Sequence, residues 1–244
     1  MLSQDPAVKN PVTFGRQSGQ WRIKNIAVNA SGSSFTLDNG TITQTFRSNL
    51  IGLHNVYNLT GAVLALHCSN KVTLADSAAI LSASTITVPG RLETFLMPNG
   101  AIAAVDYAHT HDALQHVLTT LRQLITKRLI CVFGAGGDRD RSKRPLMGQA
   151  AALLADVIVL TSDNPRSEDP LAIIEEIRSG IPADYAQLYI EPDRRQAIYL
   201  AIKMAAAGDA VLIAGKGHEN YQIINHEQLH FDDREAVKAL QMEL

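Results

Sequence analysis

Residues 128–166 read RLICVFGAGGDRDRSKRPLMGQAAALLADVIVLTSDNPR, and this stretch decides the fold of the chain. Two continuous apolar runs, LICVF and VIVL, stand on either side of a segment rich in alanine and leucine. A strand without polar alternation is buried on both faces, and strand, helix and strand in succession form a parallel pair. The stretch therefore predicts a parallel sheet covered by helices.

The same alternation continues from residue 90 to the end of the chain. Strands are predicted in AIAAVDYA, LICVFG, DVIVLTS, AQLYIE and AVLIAG, with helices in HDALQHVLTTLRQLI, RPLMGQAAALLA, DPLAIIEEIRSGI, DRRQAIYLAIKMAAA and DREAVKALQ. YQIINHEQLHF adds a hairpin near the end. The predicted fold class is α/β, with a mainly parallel sheet.

The first 89 residues have a different pattern. QWRIKNIAVNA and SSFTLDNGTITQTF carry β-branched and aromatic residues, and Asp38-Asn39-Gly40 predicts a hairpin turn within the second segment. NVYNLTGAVLALHCS and TLADSAAILSAS predict helices, and Pro89-Gly90 ends this part. We therefore expect two domains, residues 1–89 and 90–244.

Composition excludes several classes of protein. The 244 residues are 46% hydrophobic and 19% charged with a net charge of −2, which predicts a soluble globular protein without a nucleic-acid or membrane surface. Two cysteines are too few for a disulfide framework or a zinc site, and Cys131 within LICVF is predicted to be a buried thiol. No run approaches the roughly 18 apolar residues of a membrane span, and no signal-peptide pattern begins the chain, so we expect a cytoplasmic location.

Polar side chains follow four of the predicted strands, in VDYAH, FGAGGDRDR, TSDNPR and AGKGHE. Ligands of open α/β sheets bind beyond the carboxyl ends of parallel strands. We therefore expect these four segments to share one binding site.

The glycine-rich segment GAGGDRDRSKRPLMG resembles a phosphate loop only in part. It lacks G-x-x-x-x-G-K-[ST] and G-x-G-x-x-G with the correct spacing, which disfavours a dinucleotide dehydrogenase. Basic residues before a helix start still suit an anion. They are Arg139, Arg141, Lys143 and Arg144. Arg139, nearest the glycines, is the strongest ligand candidate, whereas Arg141 is interpreted as part of a solvated turn.

The segments SDNPR and AGKGHE offer complementary charges. Arg166 presents a fork suited to a carboxylate, Asn164 supplies a donor and an acceptor, and Pro165 stiffens the turn. Lys216 could contact a phosphate and Glu219 an ammonium group. Arg166 and Glu219 together would suit the zwitterionic head of an amino acid.

VDYAHTHDAL combines a strand end with a helix start. Thr110 is predicted to cap the helix, with Asp112 in its first turn. Asp106 and His109 would lie at the edge of the sheet, where both a structural and a ligand-binding role stay open.

Seven of these stretches, GLHNVYN, PGRLE, VDYAHTHDAL, VFGAGGDRDRSKRPLMG, SDNPRSEDP, AGKGHENYQ and FDDREAV, resemble in order the Mur ligases of peptidoglycan synthesis. Within that family they are most similar to the branch that adds meso-2,6-diaminopimelate. The resemblance implies a reaction with ATP and Mg²⁺ in which the D-glutamate carboxylate of UDP-N-acetylmuramoyl-L-alanyl-D-glutamate becomes an acyl phosphate, which the diaminopimelate amine attacks.

The resemblance also implies roles for individual residues. The diaminopimelate contacts are Arg139, Asp163, Asn164, Pro165, Arg166, Gly215 and Glu219. The ATP side comprises Asn55, Asn58, Arg91, Asp106 and His109. No catalytic residue and no metal ligand is assigned. His111 stands where the family usually has proline.

The same resemblance identifies residues 90–244 as a Rossmann-like C-terminal Mur ligase domain. Residues 1–89 would be a partial central ATPase domain without its G-T-x-G-K-T loop, so we expect no ligase activity from this chain alone. We also expect a monomer. A non-catalytic amino-acid-binding module or remnant is the alternative. Folylpolyglutamate synthetases share the implied fold, but we expect them to lack DNPR at this edge.

Overall fold

The computed structural model describes residues 11–29, 31–225 and 227–243. The chain divides after Thr87 into two compact units. None of the helices in these ranges is both long and apolar enough to cross a membrane.

In its described residues the first unit contains a four-stranded sheet and two helices. These are β1 (Phe14–Gly15), β2 (Trp21–Asn29), β3 (Gly32–Asp38), β4 (Thr43–Ser48), α1 (Leu53–Cys68) and α2 (Leu74–Ala83). β3 pairs antiparallel with β4, and Asn39 Oδ1 accepts the N–H groups of Thr41 and Ile42 between them. The predicted hairpin turn is confirmed. Phe35 and Phe46 stack at a centroid distance of 5.3 Å in the core.

The described part of the second unit contains a six-stranded sheet, five helices and a hairpin. The sheet strands are β5 (Glu93–Leu96), β6 (Ile102–Asp106), β7 (Leu129–Phe133), β8 (Val157–Leu160), β9 (Leu188–Ile190) and β10 (Ala210–Ala214). The helices are α3 (His111–Leu124), α4 (Lys143–Leu154), α5 (Pro170–Arg178), α6 (Arg194–Met204) and α7 (Asp233–Glu243). β11 (Tyr221–Ile224) and β12 (Glu227–His230) form the predicted hairpin.

Strand order in this sheet is β5-β6-β10-β7-β8-β9. Every neighbouring pair is parallel except β5–β6, so the predicted α/β fold with a mainly parallel sheet is confirmed. β10, the last sheet strand in the sequence, lies in the middle, between β6 and β7. The segment after β10 is thereby brought beside the segments after β6 and β7.

Burial follows the apolar pattern of the strands. All residues of β7 and β10 are buried, and α3 packs Leu114, Leu118 and Leu121 into the core. Cys131 is fully buried as predicted, and burial raises the pKa of its thiol. Thr110 caps α3 by accepting the N–H of Ala113, which confirms the predicted helix start.

Candidate functional site

A cavity of about 520 Å³ lies at the carboxyl edge of the six-stranded sheet. Its walls come from the segments that follow β6, β7, β8 and β10. Those segments bring together six of the residues predicted to contact diaminopimelate: Arg139, Asp163, Asn164, Arg166, Gly215 and Glu219. The seventh, Pro165, is buried, and its carbonyl accepts the N–H of Glu168. His109, predicted for the ATP side, also lines the cavity.

Two loops form one wall of the cavity through backbone contact. The Gly137 N–H donates to the Asn164 carbonyl at 2.9 Å, which joins the segment after β7 to the segment after β8. A Cβ atom at Gly137 would stand 1.9 Å from the Pro165 carbonyl oxygen. Only glycine fits this approach, which explains its place in the GAGGD segment.

Arg166 is held by its backbone and by one end of its side chain. Its φ of 52° is in the left-handed region, and its N–H donates to the Ile223 carbonyl at 3.0 Å. Nη1 donates to the Gly137 carbonyl at 2.7 Å. Within the described ranges Nε and Nη2 have no hydrogen-bond partner, so the guanidinium of this cavity-lining residue retains unused donors.

Arg144 is a structural residue rather than the predicted anion contact. Its side chain is 2% exposed, and it donates to Glu168, Glu176 and the Gly136 carbonyl. The hydrogen bond from Arg144 lowers the pKa of Glu168 to about 2. Arg141 is exposed, as predicted for a solvated turn, and pairs with Glu176. Glu168 also accepts the Asp138 N–H at 2.6 Å. This ion-pair cluster therefore connects the loop after β7 to the loop after β8.

The cavity lining carries both positive and negative side chains. Arg139, Arg166 and Lys143 contribute cationic groups to the lining, in addition to the ion-paired Arg144. The Nζ atom of Lys143 stands 3.9 Å from Asp140. Asp163 and Glu219 contribute carboxylates with side chains 10% and 17% exposed, and Asp140 contributes a third that is 52% exposed. The structure thus brings Arg166 and Glu219 to one cavity.

Lys216 is buried and lies close to both Asp163 and Glu219. Its buried Nζ donates to Asn164 Oδ1 at 3.0 Å and to the Tyr221 carbonyl at 2.6 Å. It stands 3.4 Å from Asp163 Oδ1 and 3.8 Å from Glu219 Oε2. Burial lowers the pKa of this lysine, while the nearby Asp163 charge opposes that shift. The predicted phosphate contact is wrong because the ammonium is fully buried and already hydrogen-bonded.

Tyr107 is a site residue that the sequence did not reveal. It lines the cavity, and its hydroxyl lies 3.5 Å from Glu219 Oε1. The Arg91 guanidinium stands 4.8 Å above its ring, and the His109 ring lies 4.6 Å away. Burial raises the pKa of Tyr107. Its place between Asp106 and His109 in VDYAH was the signal that could have identified it.

The other residues predicted for the ATP side have internal partners. The carboxylate oxygens of Asp106 accept the N–H groups of Leu92 at 2.7 Å and Ala108 at 2.8 Å. Asn55 and Asn58 lie on α1 in the first unit, where Asn55 Nδ2 donates to the Ile51 carbonyl at 2.9 Å. These contacts leave the predicted ATP role of the group untested.

Comparison with known proteins gives a consistent result. Residues 90–217 match the family model described as Mur ligase, glutamate ligase domain. The UDP-N-acetylmuramoyl-L-alanyl-D-glutamate–2,6-diaminopimelate ligase of Syntrophomonas wolfei is 46% identical over 92% of the chain and 46% of the ligase. The enzyme of the same name from Chromobacterium violaceum is 44% identical over 97% of the chain and 48% of its own length. The chain therefore spans about half the length of the curated relatives it matches.

Solved structures give the same picture. One UDP-N-acetylmuramoyl-L-alanyl-D-glutamate–2,6-diaminopimelate ligase superposes with a TM-score of 0.71 at 38% identity, covering 99% of this chain and 50% of that one. A UDP-N-acetylmuramate–alanine ligase from Thermotoga maritima superposes with a TM-score of 0.67 over 95% of this chain and 47% of that one. At 19% identity the second likeness concerns the fold alone.

Proposed function

Because this chain belongs to the Mur ligase family, we propose that it supplies the amino-acid-binding part of a ligase that adds meso-2,6-diaminopimelate to UDP-N-acetylmuramoyl-L-alanyl-D-glutamate. The whole enzyme would act in the cytoplasm as a monomer on small-molecule substrates. ATP, with Mg²⁺, would transfer its terminal phosphoryl group to the glutamate carboxylate, which forms an acyl phosphate and releases ADP. The diaminopimelate amine would then attack the acyl carbon, form the amide and release phosphate.

One observation carries this proposal: a single cavity presents both the guanidinium fork of Arg166 and the carboxylate of Glu219. Diaminopimelate has an amino-acid head at each end, so the head that does not react carries both a carboxylate and an ammonium group. Arg166 retains donors for the carboxylate, and Glu219 faces the cavity as an acceptor for the ammonium. Guanidinium–carboxylate pairs are often bidentate, which fixes the orientation of the ligand as well as its charge.

The same geometry supports a preference for meso-diaminopimelate over L-lysine. L-Lysine has the reactive head and an ammonium at its far end, but it has no distal carboxylate for Arg166. Nε and Nη2 of Arg166 would then gain no partner from the ligand, and an unmade charged hydrogen bond weakens binding. We therefore expect discrimination between the two amino acids at Arg166.

Calorimetric titration of the chain tests the proposed role. Meso-diaminopimelate should bind, and L-lysine should bind at least about tenfold more weakly, the equivalent of about 1.4 kcal/mol. Arg166→Ala should remove this preference. Arg178→Ala is the matched control, because Arg178 is exposed on α5 and, among the described residues, its side chain pairs only with Glu175. Equal affinity for both amino acids in the unaltered chain would contradict the proposed substrate.

A phosphate-release assay addresses the predicted lack of activity in this chain. The 244-residue sequence has no G-x-x-x-x-G-K-[ST] segment. With ATP, Mg²⁺ and both proposed substrates present, we expect phosphate release at background level. Turnover above background would contradict this expectation without bearing on the amino-acid site.

A further inference from the structure

A fully buried ammonium group lies beside the cavity. Lys216 has three N–H donors, of which two are used by Asn164 Oδ1 and the Tyr221 carbonyl. Oxygen atoms of Asp163 and Glu219 stand 3.4 Å and 3.8 Å from the same nitrogen. The buried Lys216 ammonium is therefore close to both Asp163 and Glu219, two of the carboxylates that line the cavity.

Stability alone is a weak explanation for this arrangement. Burying an ammonium group is costly, and replacing buried ions by apolar residues of similar volume is often neutral. Lys216 is fully buried, and burial lowers its pKa against the opposing charge of Asp163. The groups to which the Lys216 ammonium donates therefore indicate its role.

The orientation of the Asn164 carboxamide depends on Lys216. Asn164 Oδ1 accepts from both Lys216 Nζ and the Ile223 N–H, each at 3.0 Å. The amide nitrogen is thereby turned toward Glu219, to which it donates at 3.0 Å. A reversed carboxamide would place N–H donors against two other donors, so Lys216 and Ile223 together decide which end faces Glu219.

We propose that Lys216 is a positioning residue for amino-acid recognition: through Asn164 it orients the Glu219 carboxylate, and it balances one of the two negative charges that Asp163 and Glu219 bring to the cavity. Lys216, Asp163 and Glu219 together then carry one net negative charge, which matches one ammonium group of an amino-acid head. This role rests on the proposed amino-acid-binding function and extends it to a residue that does not touch the ligand.

A double-mutant cycle on binding of meso-diaminopimelate tests the role. Lys216→Met should weaken binding about tenfold or more, as expected for loss of a charge-assisted hydrogen bond. In a Glu219→Gln background the same change should weaken binding less than about threefold, since residues that act through one another are not additive. Lys127→Met is the matched control, because Lys127 is exposed and its Nζ donates only to the Ala207 carbonyl within the part of the chain that the structure describes. Equal losses in both backgrounds would overturn the inference.

A spectroscopic measurement on the free chain separates this inference from the proposed function. In amide NMR spectra the Asn164 side-chain signals should shift in Lys216→Met and stay in place in Lys127→Met. In the unaltered chain the Lys216 ammonium should exchange slowly with water, which can be measured even if Lys216→Met fails to fold. Failure of the unaltered chain to bind meso-diaminopimelate contradicts the proposed function, whereas unmoved Asn164 signals or a rapidly exchanging Lys216 ammonium overturn the positioning role.

Discussion

The buried guanidinium of Arg144 offers a quantitative test of how the two loops of the site are held. Arg144→Met keeps most of the apolar stem and removes the donors. Arg144 makes three hydrogen bonds to the carboxylates of Glu168 and Glu176 and one to the Gly136 carbonyl. The loops after β7 and β8 should therefore open more often in this variant.

The expected cost follows from these contacts and from the exposure of the partners. A hydrogen bond to a charged group contributes about 1.5 to 3 kcal/mol, and removing one partner of a buried pair costs about 3 to 5 kcal/mol. The side chains of Glu168 and Glu176 are 22% and 25% exposed, so water can hydrate them once Arg144 is gone. We therefore expect the low end of that range, about 3 kcal/mol.

Arg141→Met is the matched control. Arg141 lies three residues earlier and pairs with Glu176, one of the two partners of Arg144. Its side chain is 67% exposed, and exposed ion pairs contribute less than about 1 kcal/mol. The two substitutions thus remove an arginine with a shared partner and differ mainly in burial.

Hydrogen exchange at the amides of Gly137 and Asp138 measures the effect where it should occur. These amides donate to the Asn164 carbonyl and to Glu168 Oε1, across the joint between the loops. A loss of about 3 kcal/mol accelerates exchange about a hundredfold, and a loss below about 1 kcal/mol accelerates it less than about sixfold. Equal acceleration in both variants would refute the argument from burial.

Two further predictions concern the same loops. Glu168 has a pKa of about 2 in the folded chain against an ordinary 4.5, so its contribution to stability is present above pH 4.5 and is lost as the pH falls toward 2. Urea unfolding across this range should show that loss in the unaltered chain and in Glu175→Gln, whose carboxylate is exposed, and a smaller loss in Glu168→Gln. Gly137→Ala should destabilise the chain by about 1 to 3 kcal/mol, since its Cβ would meet the Pro165 carbonyl oxygen at 1.9 Å. Gly61→Ala, in a helix with only ordinary contacts, should be neutral or stabilising, and thermal unfolding of both glycine variants would show whether the clash matters.

Those parts of the fold that depend on neighbouring residues were predictable from the sequence. The apolar run of β7 and the Asp38-Asn39-Gly40 turn are local signals, and both have the predicted structure. The central position of β10 was not predictable, because strand order depends on packing between segments far apart in the chain. β5 was missed because it is four residues long, half polar, and lies next to a proline and glycine turn.

The site residues likewise divide into those that the local sequence predicts and those whose role depends on distant parts of the chain. Arg166 and Glu219 were identified because each follows a predicted strand, and parallel strands end at one edge of a sheet. Lys216 and Arg144 were assigned to ligands because their burial depends on distant partners. Lys216 meets Asn164 across 52 positions of sequence, and Arg144 meets Glu176 across 32. A charged side chain near a glycine-rich turn has the same local pattern whether it binds a ligand or another part of the protein.

A crystal structure of the chain with meso-diaminopimelate tests the central claim most directly. The account predicts one amino-acid head in the cavity, with its carboxylate within about 3.2 Å of the Arg166 guanidinium and its ammonium within the same distance of the Glu219 carboxylate. Asn164 and Lys216 should keep their hydrogen bonds to each other. A ligand bound elsewhere, or bound in this cavity without contact to Arg166 and Glu219, would contradict the account.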